Sequence, residues 1–499
     1  MSSRVSVPAV SVRVVSPFWR RLVLAGGLVA CFLATPLTAF AADGADGATD
    51  RPAASQGRVL GGPPVVLPER QRVEPINRML TERLETLLPT LMRETGIDLW
   101  LVINREYAED PVFFSLVPEP VFAARRTTML VFHAHEDEAG ETTVDRLTVN
   151  RYPLGDPYEA AWQGGDLETQ WQALGELLAE RDPRRIGINV SRHWPVADGL
   201  TQGLHERLLE ILPSGFEERL VSAEDLVIRW IETRAEGELA VYPHVVALAR
   251  GVIAEGFSSR VITPGVTTTD DIAWFLRERF GALDLPIWFM PYVNLQRPGV
   301  PCEADTDFCG ISGVIQPGDV LHTDVGICYL RVCTDTQEMG YVARLEDLAD
   351  AAPDEVAALG DQAFVPADLR HALAVGNRWQ DLLTDAFRTG RTGNEILAAA
   401  RTAADAEGIV SSVYTHPLGV FGHAPGPTIG MWDNQGPTPV RGDWPLHPDT
   451  GYAIEGNVKV RVPGWDDQRV QIKLEQSAVF DGERVLYLAG RQTRWHVVR

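Results

Sequence analysis

Four carboxylates in the C-terminal half of this 499-residue chain fall into two symmetric pairs. Asp324 and Asp335 lie eleven residues apart in "TDVGICYLRVCTD", and a strand–turn–strand centred between Tyr329 and Leu330 would set them directly across from one another. Glu455 and Glu475 flank "PGWDDQ" with Trp465 midway between them, so a hairpin centred there would pair them as well. Opposed side chains of antiparallel strands have Cβ atoms roughly 4.5–5.5 Å apart, and like charges at that distance repel. An isolated aspartate pair would ordinarily turn to solvent beyond its strand ends. Two pairs are harder to explain that way, because the apolar Ile454 and Leu474 stand beside the glutamates. If all four point into one interior, their repulsion calls for cations. His416 and His423 in "THPLGVFGHAPG" offer nitrogen ligands. Four carboxylates and one imidazole make a hard, mostly oxygen set for two divalent ions, which can hold a hydroxide and clamp a tetrahedral intermediate.

Elements able to position these groups can be read from the pattern. "INRMLTERLETLLPTLMRETG" has helical spacing, and "IDLWLVIN" follows as a short buried strand. Further strands are predicted at "TTMLVFHA", "VDRLTVN" and "RRIGINV", with helices at "LETQWQALGELLAE" and "LTQGLHERLLEIL". Strands alternating with helices give a layered α/β domain over 70–232. A long helix then opens at "AEGELAVYPHVVALARG", and a second at "TTDDIAWFLRERFGAL", with Thr269 as its cap. The remainder of 233–499 is strand-rich, broken by helical segments at 353–388 and 393–407. The chain is thus α+β, with two domains and no solenoid repeat.

Composition narrows the partners. The formal charge is −23 and no dense Lys/Arg tract occurs, which argues against nucleic acid and anionic membranes. Arg13, Arg20 and Arg21 precede the apolar run "LVLAGGLVACFLATPLTAFA", which reads as an export signal cut after Ala41. A competing lipoprotein reading anchors the chain at Cys31 in "LVAC". Periplasmic or secreted placement is the expectation, with no membrane contact beyond the signal segment. Residues 42–69, rich in Gly, Ala, Asp and Pro, read as a flexible tether. In an oxidising compartment Cys302 with Cys309, and Cys328 with Cys333, could form local disulfides; buried free thiols are the alternative.

The order Asp, a second Asp eleven positions on, then His-x-x-Gly, Glu and Glu resembles the pita-bread metallopeptidases of family M24, whose branches include aminopeptidase P, prolidase and creatinase. The matching segments are "HTDVG", "TDTQ", "HPLG", "AIEG" and "KLEQ". The resemblance implies a C-terminal pita-bread (creatinase/aminopeptidase-like) catalytic domain preceded by a smaller α/β creatinase-type domain. It implies Asp324, Asp335, His416, Glu455 and Glu475 as ligands of two divalent ions, with Mn²⁺ favoured by ligand hardness and Zn²⁺ or Co²⁺ as alternatives. His423, seven residues after His416, takes the place of a histidine that contacts substrate or oxyanion, and Glu455 that of the general base. The expected reaction is cleavage of the Xaa-Pro bond of short peptides, by an aminopeptidase or dipeptidase, through a hydroxide shared by the ions. A homodimer is the default among relatives.

Three features depart from the family pattern. No histidine stands some seventeen residues before the first aspartate, where "EADTDFCG" is found; His322, two residues before Asp324, would share its strand face and is the substitute. Lys473 replaces the arginine usual in Xaa-Pro enzymes, keeping the charge and losing the fork geometry. Glu455-Gly456-Asn457 replaces Glu-Pro-Gly. These differences leave open a non-peptide small-molecule substrate, in a C–N hydrolase or lyase, and a non-catalytic binding protein as a third reading.

Overall fold

The computed structural model of the protein describes residues 65–300 and 309–499. The export signal, Cys31, Cys302 and the tether up to residue 64 lie outside the described residues. The last tether residues are not loose. Leu67 N–H donates to the Tyr329 hydroxyl at 2.9 Å, the Val65 carbonyl lies 2.9 Å from His244 Nε2, and a helix starts at Glu69. Val66 packs on the apolar core of the second half of the chain, which explains why the segment settles there.

The first half is built on helices α1 (Glu69–Glu82) and α2 (Leu88–Thr95) and a six-stranded sheet. Its strands are β1 (Leu99–Arg105), β2 (Thr127–Glu136), β3 (Thr142–Asn150), β4 (Glu159–Ala160), β5 (Ile186–Ile188) and β6 (Leu220–Ser222), in the order β4-β3-β2-β1-β5-β6. β1, β2 and β3 are antiparallel, whereas β5 runs parallel to β1, as the helical crossover α3 (Leu167–Arg181) requires. β1 is buried along nearly its whole length, covered by α2 and by α5 (Glu224–Glu232) on one face and by α3 and α4 (Gln202–Ile211) on the other. This double cover accounts for the uninterrupted apolar run "LWLVI".

The second half has a nine-stranded sheet. Its strands are β7 (Tyr292–Gln296), β8 (Val320–Val325), β11 (Thr336–Val342), β12 (Ser411–Val413), β13 (His416–Leu418), β14 (Thr450–Val462), β15 (Gln468–Phe480), β16 (Val485–Tyr487) and β17 (His496–Val498). A separate two-stranded ribbon, β9 (Cys328–Tyr329) with β10 (Val332–Cys333), joins β8 to β11. The main path runs β12-β14-β15-β11-β8-β7. Helices α6 (Glu236–Gly256) and α7 (Thr269–Ala282) back the β7–β8 side. The cap of α7 is Thr268 rather than Thr269: its hydroxyl accepts from Asp271 N–H at 3.1 Å, and Asp271 accepts back from Thr268 N–H. Two short helices, α8 (Leu345–Asp350) and α9 (Pro353–Leu359), lead to α10 (Ala367–Thr384) and α11 (Gly393–Ala406), which back β14 and β15.

Period-two alternation then decides what faces inward. Val470, Ile472 and Leu474 of β15 and Ile454 and Val458 of β14 pack with Trp379 and Leu383 of α10, so Lys473, Glu475, Glu455 and Asn457 turn to the opposite, concave face. Gly456 is required by close approach, because a Cβ there would lie 2.5 Å from the Trp379 ring. The two halves are bolted together by Arg83, which is buried and donates to the Thr233 carbonyl and to Glu238, both at 2.7 Å.

Candidate metal centre

The β14–β15 ladder pairs Glu455 with Glu475, the register expected from a turn centred on Trp465. The aspartates follow a different register. Leu330 and Arg331 both take positive φ (53° and 63°), forming a two-residue turn between Tyr329 and Val332. The hairpin is therefore centred between Leu330 and Arg331, one residue later than the sequence symmetry suggested. Gln337, not Asp335, stands opposite Asp324. Asp335 lies two residues earlier, on the same face as Gln337, and so reaches the site diagonally. A disulfide between Cys328 and Cys333 closes the ribbon that separates the two aspartates. Ser477 on β15 fixes Asp335 from the other side, donating to its carbonyl at 3.1 Å.

Asp324, Asp335, His416, Glu455 and Glu475 converge on the concave face, and overlapping trios of them bring one ligand atom each within 4.8 Å of one another. His416 Nε2 lies 3.5 Å from Asp335, 3.6 Å from Glu475 and 3.7 Å from Glu455. Its other nitrogen, Nδ1, sits 3.0 Å from the Pro417 carbonyl, which can only accept; Nδ1 thus carries a proton, and in the neutral ring Nε2 is a bare lone pair aimed at three carboxylates. Glu455 is anchored through Thr415, whose hydroxyl donates to the Glu455 carbonyl and accepts from its N–H, each at 2.9 Å.

Whether these residues fit divalent ions is tested by the atoms left over. His416 Nε2, Asp324 Oδ1, Asp335 Oδ1 and both oxygens of Glu475 are buried without a hydrogen-bond partner. Such groups are costly unless something binds them. Burial, reinforced by the charges of Asp335 and Glu455, pushes the Asp324 and Glu475 carboxyls well above their ordinary range. Burial raises Glu455 to about 8 against the pull of His416, with Asp335 adding to the rise. For His416, burial opposes protonation, and Asp335 and Glu455 together overcome it and raise its pKa. Every shift states the same demand, for positive charge among the oxygens, and the donor set fits hard divalent cations.

Gln337 was not singled out by sequence. Its amide nitrogen donates to Asp324 at 3.3 Å and to Glu455, tying one carboxylate of each pair together. His322 holds the amide oxygen at 2.9 Å through Nε2. His322 is thus buried beside Gln337, its Nε2 engaged by that amide, and it lines the same cavity as Asp324 and Glu455. Lys473 is also buried; its Nζ donates to the Cys309 carbonyl at 2.9 Å, and burial lowers it to about 7 against the pull of Asp324.

Asp324, His416 and Glu455 line a cavity of about 730 Å³, with Asp335 and Glu475 buried beside them. His423 stands in its wall, its ring 4.6 Å from that of His416 and 4.9 Å from that of Trp288. Trp194 from the first half joins Phe421, Met431 and Trp432 to make an apolar flank, and Arg441 lies among them with its guanidinium 5.7 Å from the Trp194 ring. Gln337 could have been found from its place two residues after Asp335. Trp194 and Arg441 reach the cavity through tertiary packing and carry no local signal.

Residues 244–479 match the profile of Metallopeptidase family M24, and the sheet, its backing helices and the inward carboxylates within that span are those of a pita-bread domain. Residues 244–479 are thus a metallopeptidase domain of this family. Among solved structures, the X-Pro aminopeptidase of Thermotoga maritima matches with a TM-score of 0.55 at 17% identity, over 82% of this chain and 100% of that one. An Xaa-Pro dipeptidase from Bacillus anthracis gives 0.52 at 16%, over 86% and 100%, and a dipeptidase from Mycobacterium ulcerans gives 0.51 at 17%, over 85% and 98%. At these identities the likeness is one of fold, and it includes the α/β half that precedes the M24 span. No curated protein matches the chain in sequence.

Proposed function

We propose that the protein is an exported hydrolase that cleaves the Xaa-Pro bond of short peptides with two divalent ions, Mn²⁺ foremost, held by Asp324, Asp335, His416, Glu455 and Glu475. The observation that carries this reading is the set of bare ligand atoms on Asp324, Asp335, Glu475 and His416, gathered with Glu455 beside a cavity of about 730 Å³. Bound ions would supply Lewis acidity and an activated water. Glu455 accepts the proton of the attacking water and returns it to the departing imino nitrogen; Gln337 holds its carboxylate for that work. His423 projects from the cavity wall beside His416, where its ring can donate to the developing oxyanion. Its pKa is lowered by burial and by His416, which favours the neutral donor. The apolar flank of Trp194, Phe421 and Trp432 suits a proline ring, and Arg441 is placed to pair with a free terminal carboxylate. The charged and apolar start of the chain supports export.

His322 Nε2 is engaged by Gln337 rather than open to a peptide, and on that observation a small non-peptide substrate with a scissile C–N bond is the second reading. Hydrolysis of an Xaa-Pro di- and tripeptide series by the protein from residue 42 onward, with Mn²⁺, Zn²⁺ or chelator, decides between them. Metal-dependent cleavage abolished by Asp335→Ala is the expected result. Two bound ions without peptide cleavage would favour the second reading, and no bound metal would overturn the assignment of the ligands.

A further inference from the structure

A second group of ligand-type side chains lies on the N-terminal sheet, outside the cavity lining. His133 and His135 alternate with Ala134 on β2, so both rings leave the same face, and they stack with centroids 5.8 Å apart at 19°. Asp145 on β3 is the register partner of His133. One ligand atom from each of the three lies within 4.8 Å of the others. His133 Nδ1 is 3.7 Å from one Asp145 oxygen and His135 Nδ1 is 3.9 Å from the other. These separations are too long for hydrogen bonds. They slightly exceed the roughly 3.3 Å edge of a tetrahedron whose ligands stand about 2.0–2.1 Å from a zinc ion. His416 keeps a similar distance from its carboxylates in the central site, 3.5 to 3.7 Å.

The tautomers strengthen the parallel. The Thr143 hydroxyl donates to the His135 carbonyl at 3.3 Å and lies 3.0 Å from His135 Nε2. With its one proton on that carbonyl, Thr143 accepts from Nε2–H, and in this tautomer His135 Nδ1 is a lone pair facing a carboxylate. His133 Nδ1 is buried with no hydrogen-bond partner. Burial, aided by the charge of Arg181, lowers the His133 pKa and favours the neutral ring that a metal needs. Arg181 Nη1 holds Asp145 Oδ2 at 3.0 Å, which orients the carboxylate and leaves Oδ1 toward His135. Its positive charge also makes this the weaker of the two sites.

We propose that His133, His135 and Asp145 form a mononuclear site for a borderline divalent transition metal of the Zn²⁺, Ni²⁺ or Cu²⁺ class, clipping β2 to β3. Two imidazoles and one carboxylate select such ions over Mg²⁺ or Mn²⁺. The chain then carries two metal sites of different chemistry: an oxygen-rich centre in the cavity and a nitrogen-rich clip on the neighbouring domain.

Equilibrium dialysis of the untagged protein against micromolar Zn²⁺, followed by metal analysis, tests this. The wild type should retain one equivalent more than either His135→Gln or Asp145→Asn, with Xaa-Pro hydrolysis by the three proteins alike. Circular dichroism confirms that both variants are folded, and two variants guard against the loss of one. Equal metal content in all three overturns the proposal. The readout is a difference, so it stands whether or not the central site binds metal as proposed above.

Discussion

Gln337 stands directly opposite Asp324 in the β8–β11 ladder, and its amide nitrogen reaches Asp324 and Glu455 at once. A neutral donor at this point offsets part of the repulsion that an opposed aspartate would have created. Gln337→Leu removes that donor and leaves the His322 Nε2–H unpaired. Loss of a group that orients metal ligands typically weakens metal affinity about 10–100-fold. We expect a fall of that size in competition with a chelating dye, and a parallel loss of turnover. Unchanged affinity would show that the bridge is incidental.

The inward face of the glutamates was legible because strand alternation is a property of the chain itself: apolar Ile454, Ile472 and Leu474 force Glu455, Lys473 and Glu475 to the other face. The Glu455–Glu475 register was legible for the same reason, since the symmetry centre at Trp465 matches the true turn. The aspartate register was not. Leu330 and Arg331 adopt left-handed backbone without the Asn-Gly signature that announces such a turn, and burial of Leu330 together with the pairing of Arg331 to Glu119 supports it instead. Long-range packing of that sort, like the delivery of Trp194 from the first half of the chain, leaves no trace in local sequence.

Metal removal should make stability depend on pH. Asp324, Glu455 and Glu475 have raised pKa values in the metal-free fold, Glu455 up to about 8. The folded state therefore binds more protons than the unfolded chain above the ordinary carboxylate range, and stability falls as pH rises from about 4.5 toward 8. Chelator-treated protein should lose several degrees of Tm between pH 6 and pH 8.5, and Glu455→Gln should flatten that slope. Mn²⁺-loaded protein should show no such loss, because the ions replace the protons. Scanning calorimetry of the three samples checks it, and a flat profile for the metal-free wild type would contradict the raised values.

Cys328 and Cys333 close the ribbon between the aspartates. Cross-linking so short a loop stabilises by about 2 kcal/mol on a chain-entropy estimate. Replacing both cysteines with alanine should lower stability by that amount in urea unfolding. Because β10 leads into Asp335, metal occupancy at limiting Mn²⁺ should fall as well, whereas a purely local staple would leave occupancy unchanged.

Arg441 separates substrates by their C-termini. Its guanidinium lies in the cavity wall over Trp194, with one Nη 3.3 Å from the His193 carbonyl, which leaves further donors for a ligand. A hydrogen bond between charged groups contributes roughly 1.5–3 kcal/mol, equivalent to about 10- to 100-fold in binding. Arg441→Met should therefore raise KM for a free Xaa-Pro dipeptide by that factor and leave the corresponding Xaa-Pro amide nearly unaffected. kcat should change little for either, since Arg441 touches neither the carboxylates nor His423. An equal rise for acid and amide would mean that Arg441 shapes the apolar flank by packing, and that the peptide's carboxyl end is not what it reads.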